Sequence, residues 1–173
     1  MFAPLPGTLL VTQLHGSLKG GPGEAYMVNH DGVYYRCIGH AGIDFAAPVG
    51  TPVSCMKSGI LTVTPNDPWH GGYAAALGLY AVITLMTGET HTYAHLSRVD
   101  LPSGRLVLST TVFALSGNSG NVWPVPTPQQ PNNGEHLHVG VRPEGVDWAN
   151  HFDGTIGFLD RYNHDVLIDL SRV

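Results

Sequence analysis

Ten histidines in 173 residues invite a chemical reading, and their positions matter more than their number. The first constellation is His136-Leu137-His138. Side chains at i and i+2 of a strand leave the same face, so both imidazoles project together while Leu137 points the other way. Val139-Gly140-Val141 follows, giving an apolar strand with a polar working end. Alone, the pair fits a metal site or two hydrogen-bonded histidines on a sheet surface. The second constellation is GHAGIDFAAPVGTPV at 39–53. Gly39 and Gly42 flank His40 and permit a tight approach that turns His40 and Asp44 toward one point. Gly42 and Pro48 disfavour a helix and no glutamate stands between two histidines, so this is not the helical HExxH arrangement. Alone, it also fits a structural turn with a strand-capping carboxylate. The third is THTYAHLS at 90–97, where strand periodicity puts His91, Tyr93 and His95 on one face.

Together, His40, Asp44 and His138 offer two imidazoles and one carboxylate. Three protein ligands with a fourth position left to water is the pattern of a catalytic zinc, whereas a structural site closes all four. One zinc ion with one anionic ligand keeps net positive charge, acidifies water and polarises a carbonyl oxygen, which suits amide hydrolysis. Cys37 is the alternative fourth ligand, and it would block the water. The reaction also needs a group that moves protons near neutral pH. His95 at a strand end and His136 beside the ligand strand are the candidates, either one as base or acid. His91 reads as a support behind them, and Tyr93 as packed or near the site. His15 reads as a rim contact or a surface residue, and His30 and His70 as solvent-exposed.

The elements that must position these residues are short. Apolar runs at 9–12, 34–37, 43–45, 52–54, 60–64, 79–85, 91–96, 106–108, 112–115 and 137–141 have strand lengths and β-branched content. Gly, Pro, Asn or Ser separates most of them, and few gaps hold a crossover helix. The expected fold is therefore all-β, an antiparallel sandwich or barrel-like scaffold. Segments 20–32 and 118–134 read as loops, the latter ending just before the HLH strand. A short helix is expected near 148–152. No internal repeat marks a boundary, so 1–173 reads as a single domain.

Composition narrows the partners. Hydrophobic residues at 43% suit one compact core, while Lys plus Arg is 8, Asp plus Glu is 13 and the formal charge is -5. No basic stripe exists to displace counterions, so a nucleic acid is not the expected partner. Gly at 22 and Pro at 13 read as turn chemistry. Cys37 and Cys55 fit either one disulfide or two buried thiols. The N-terminus lacks a basic n-region and enough apolar length for a signal peptide. No apolar run approaches the roughly 18 residues of a membrane span, so no integral membrane segment is expected. A monomer is expected, and the site of action stays open: secreted, periplasmic or phage-associated.

The texts HAGIDFAAPVGTPV, YAHLS and SGNSG followed by GEHLHVGV, in that order, resemble the lysostaphin-like zinc metalloendopeptidases, which cleave peptide bonds in bacterial peptidoglycan. The resemblance runs from Val11 to Val141. It implies an antiparallel β scaffold of the duplicated hybrid motif type with a zinc-containing groove between loops, one zinc on His40, Asp44 and His138, and His95 with His136 as the catalytic pair. It also implies a peptidoglycan peptide stem or cross-bridge as substrate, as for an endolysin. Against the family pattern, the core covers about 9–141, insertions lie near 65–77 and 121–134, and 142–173 is a C-terminal extension. The glycine-rich run before YAHL is altered, and glycines are replaced in VLSTTVFALSGNSG. All five site residues are intact, so the departures bear on substrate shape, with Trp69, Tyr73 and Trp123 placed to line a groove rim.

Two rivals are carried. One is a non-catalytic module for cell-wall binding or phage-type assembly, although such a relative would normally have lost a ligand. The other is a phosphocarrier domain with two facing histidines, which has no need of Asp44.

Overall fold

The computed structural model describes residues 2–13, 40, 42–65 and 76–142, together with the backbone of 25–30 and 33–38. Twelve strands follow in chain order: β1 (Val11–Gln13), β2 (Ala25–His30), β3 (Val33–Ile38), β4 (Ile43–Phe45), β5 (Pro52–Ser54) and β6 (Gly59–Thr64). Then come β7 (Tyr80–Thr84), β8 (Thr90–Ala94), β9 (Arg98–Val99), β10 (Leu106–Val107), β11 (Val112–Leu115) and β12 (Leu137–Arg142). A seven-stranded sheet runs β1-β4-β12-β8-β7-β6-β10, a three-stranded sheet runs β5-β11-β9, and β2 pairs with β3. All pairings are antiparallel, as expected from the short connections.

The two larger sheets share one core. Ile43, Phe45, Leu61, Ile83, Tyr93, Leu137 and Val139 of the seven-stranded sheet meet Val53, Phe113 and Ala114 of the smaller one. Tyr93 and Phe113 stack edge to face with centroids 5.1 Å apart, worth about 0.5–1.5 kcal/mol beyond the area buried. The Met56 N–H donates to the Tyr93 hydroxyl at 3.0 Å. Tyr93 is thus a packed residue, and burial pushes its phenol upward.

Two expectations change, and one open alternative closes. Segment 20–32 is not all loop, because β2 occupies Ala25–His30 and pairs residue for residue with β3. The sequence carries a hairpin signal there: Asp31-Gly32 between two runs of strand-forming residues. β8 ends at Ala94, and His95 has φ 60, so it leaves the alternation that His91 and Tyr93 obey. Of the two open readings of the cysteines, the buried thiol is the one Cys55 takes. The expected helix near 148–152, the side chains of His15, His30, Cys37 and His70, and Trp69 and Tyr73 lie outside the described residues.

Register places the site. In the middle of the large sheet β12 lies between β4 and β8, with His138 opposite Asp44 on one side and opposite Ala94 on the other. Residues 44, 138 and 95 therefore meet at one level although they are far apart in sequence.

Candidate metal centre

Asp44 and His138 face each other across the β4–β12 pair, and His40 reaches them from the turn before β4. The three contacts form a near-equilateral triangle. His40 Nε2 is 3.0 Å from His138 Nδ1, His138 Nδ1 is 3.0 Å from Asp44 Oδ1, and His40 Nε2 is 3.1 Å from Asp44 Oδ1. Gly42 makes the approach possible, since a Cβ there would lie 2.4 Å from the Val139 carbonyl oxygen and 2.8 Å from the His138 ring. Any other residue at 42 would push the turn off the sheet.

Hydrogen bonds alone satisfy this triangle poorly. Asp44 Oδ1 can only accept, and the 3.0 Å contact between two ring nitrogens requires at least one of them to lack a proton. Lone pairs therefore converge on a shared point, as they do around a cation. Tetrahedral zinc with bonds of about 2.0–2.1 Å separates its ligand atoms by roughly 3.3–3.4 Å. The observed edges are close to that, and the donor set fits a single divalent ion. Among the described residues this is the one such cluster found.

Electrostatics agree. Burial alone would raise the Asp44 carboxyl, but hydrogen bonds and charge from His138 and His40 hold it well below the usual carboxylate range. Burial pushes His138 down, only partly offset by Asp44. The site thus sets an anionic carboxylate beside the His138 ring, which burial holds toward its neutral form.

His95 and His136 stand beside it. Their ring centroids are 4.5 Å apart, and His95 is 5.9 Å from the His138 ring. Burial, then the neighbouring His136 and His138, lower His95 to about 3, so it is neutral at physiological pH. His95 Nδ1–H donates to the Ser119 carbonyl at 2.8 Å, and His136 Nδ1–H donates to the Gly134 carbonyl at 2.7 Å. A carbonyl can only accept, so each ring carries a proton on Nδ1, and in its neutral form it keeps its lone pair on Nε2. His136 Nε2 lies 3.7 Å from Asp44 Oδ2, which puts it on the cradle's side. The backbone N–H of His95 donates to Leu77 O at 3.0 Å, which helps hold the left-handed turn at that residue.

All five sequence candidates therefore come together. His91 does not join them: it is buried near the start of β8 with Nε2 2.7 Å from Glu89 Oε1. Sequence reasoning passed over Ser119, Gly134 and Leu77, which act through backbone carbonyls and so leave no residue-type signature. Trp123, expected at a rim, is 85% exposed on the segment between SGNSG and HLH.

A model of Peptidase family M23 matches residues 38–150. Over 121 residues the chain is 33% identical to the peptidoglycan DD-endopeptidase ShyA of Vibrio cholerae serotype O1, covering 66% of this chain and 24% of that protein. It is 33% identical over 106 residues to the DD-carboxypeptidase/endopeptidase Mpg of Neisseria meningitidis serogroup B, covering 61% of this chain and 20% of that one. The chain thus spans about a quarter or less of these relatives' length. Among solved structures, the catalytic domain of the prophage-encoded M23 protein EnpA from Enterococcus faecalis is similar with TM-score 0.54 and 25% identity, covering 83% of this chain and 88% of that chain. A zinc containing peptidase from Vibrio cholerae is similar with TM-score 0.55 and 25% identity, covering 84% and 37%.

Proposed function

The chain belongs to peptidase family M23, and from that premise we propose that it is a zinc-dependent endopeptidase hydrolysing peptide bonds in bacterial peptidoglycan cross-links. The observation that carries this reading is the triangle of His40 Nε2, Asp44 Oδ1 and His138 Nδ1 beside two imidazoles whose Nδ1 atoms are each held by a backbone carbonyl. The substrate class is supported by the relatives named as peptidoglycan DD-endopeptidase and DD-carboxypeptidase/endopeptidase. Zinc is supported by the two-nitrogen, one-oxygen donor set and by the zinc containing structural relative. The match over 38–150 and the one core cluster among the described residues support one metallopeptidase domain.

Bound zinc supplies Lewis acidity toward a water and toward the scissile carbonyl. The chain's own residues do the rest. Asp44 is committed as an anionic ligand and is not the base. His95 and His136 form the catalytic pair: one Nε2 accepts the proton lost by the attacking water, and that same proton reaches the departing amine from this ring or by way of the other. Their Nδ1–H bonds to fixed carbonyls stabilise either ring when it becomes cationic. Water adds to the carbonyl carbon, the C–N bond breaks, and the proton ends on the leaving nitrogen.

The test is digestion of defined wall types by the zinc-loaded protein, with mass identification of new peptide ends. New amino and carboxyl termini at a cross-link, abolished by chelator and restored by zinc, are expected. An unchanged peptide profile across all wall types would overturn the proposal.

A further inference from the structure

The two carbonyls that fix the catalytic imidazoles sit at opposite ends of one segment. Ser119 O holds His95 Nδ1 and Gly134 O holds His136 Nδ1. Between them run fourteen uninterrupted residues, 120–133, without a charged side chain. A loop of that length does not by itself keep its two ends in register to a fraction of an ångström.

One side chain closes it. Asn118 Nδ2 donates to Pro131 O at 2.7 Å and to Asn133 O at 2.9 Å. Both partners are carbonyls, so the amide orientation is fixed by chemistry, with NH₂ toward the loop's returning end. Asn118 lies between Gly117, which bridges to His136, and Ser119, which holds His95. The returning turn then packs Gly134 against Pro124 O and Val122, where a Cβ would lie 2.6 Å from each. Ser119 is anchored in turn: its hydroxyl donates to Leu96 O at 2.8 Å and accepts from the Leu79 N–H at 2.9 Å.

We propose that Asn118 is a positioning residue that staples the 118–134 loop so that its two ends present carbonyls to both catalytic imidazoles at once. The inference rests on the reading of His95 and His136 as the catalytic pair. The staple sets tautomer and ring position together; it touches neither substrate nor metal ligand. Removing it lets Gly134 O shift relative to the anchored Ser119 O, so the two imidazoles no longer keep tautomer and position in common register.

The experiment compares wild type with Asn118→Asp, which keeps the shape but cannot donate, and Asn118→Ala, which adds no charge. Thr127→Ala is the control at the loop tip, where the Thr127 hydroxyl meets only the Gln130 N–H. For each zinc-loaded full chain, kcat, KM, zinc content, thermal midpoint and the ¹⁵N shifts of the imidazole nitrogens are measured. Both Asn118 variants should lose kcat by on the order of tenfold to a hundredfold with KM and zinc content near wild type. The ring nitrogens of His95 and His136 should change from Nδ1-protonated to mixed tautomers, and Thr127→Ala should change neither. Wild-type tautomers in a folded Asn118 variant would overturn the staple, as would loss of zinc in step with rate. If one Asn118 variant unfolds, the other is read by the same criteria. His95→Ala separates the two layers: wild-type turnover in that variant sinks the catalytic reading itself, whereas a dead His95→Ala with unaffected Asn118 variants sinks only the staple.

Discussion

Two carboxylates in this protein each gather two nitrogen partners, and only one of the two clusters calls for an ion. Asp44 Oδ1 sits 3.0 Å from His138 and 3.1 Å from His40. Glu89 Oε1 sits 2.7 Å from His91 and 2.8 Å from Lys57. The Glu89 cluster contains its own permanent cation, the Lys57 ammonium, so the carboxylate is neutralised from within. The Asp44 cluster has no such group: its partners are imidazoles, and burial drives His138 toward the neutral form. A divalent cation held by the triangle would supply the charge that a lysine supplies to Glu89. What separates a metal site from a structural ion pair here is the missing lysine, not the number of histidines.

The largest effect that distinguishes the clusters is on metal. Asp44→Ala should abolish stoichiometric zinc and lower kcat by at least about a thousandfold, the equivalent of several kcal/mol of lost Lewis acidity. Glu89→Ala should keep full zinc content and kcat. Its cost falls on stability, about 1–3 kcal/mol, because the buried His91 ring loses its partner. Elemental analysis beside denaturant titration checks both, and zinc loss in Glu89→Ala would erase the contrast.

The next effect separates two histidines four residues apart. His95→Ala should retain zinc and lose on the order of a hundredfold to ten-thousandfold in kcat, while His91→Gln should leave kcat within about twofold, as a substitution away from the reacting atoms. Steady-state rates on one cross-linked peptide, with zinc content measured in parallel, decide it. The sequence put both rings on one strand face with Tyr93 between them, and that much of the pattern holds for His91 and Tyr93, which are buried. It does not extend to His95, where φ 60 turns the chain. A left-handed conformation at a non-glycine residue is imposed by tertiary contacts, here the Leu77 and Ser119 carbonyls, and no residue type announces it. The metal triangle was legible because it depends on side-chain identity: His40 and Asp44 in a glycine-flanked turn, His138 in an alternating strand. The strand at Ala25–His30 was missed because neighbouring glycines outweighed the short Tyr26-Met27-Val28 run. The carbonyls of Ser119 and Gly134 were invisible for the reason that every residue carries one.

The smallest effect is a pH dependence, and it tests whether the Glu89 cluster is purely structural. Burial lowers His91 from its ordinary value near 6.5, with Glu89 opposing and Lys57 reinforcing the shift. The folded chain therefore refuses a proton that the unfolded chain accepts once pH drops below about 6.5. The unfolded state then binds more protons, so stability is flat above that pH and is lost as pH falls toward the folded value. Glu89, held below its usual range against its own burial by Lys57 and His91, adds a loss of the same sign beginning lower, near pH 4.5. His91→Gln keeps a donor for Glu89 and removes the titrating ring. Its urea midpoint at pH 7.5 should lie near wild type, while the decline between pH 6.5 and 5 should be shallower, by at most about 1.4 kcal/mol per pH unit. His95 and His138 titrate in both proteins and cancel in the difference. Parallel acid limbs for wild type and His91→Gln would mean that His91 is protonated in the folded state. The Glu89 cluster would then hold two cations, and the charge argument that sets it apart from Asp44 would have to be redrawn.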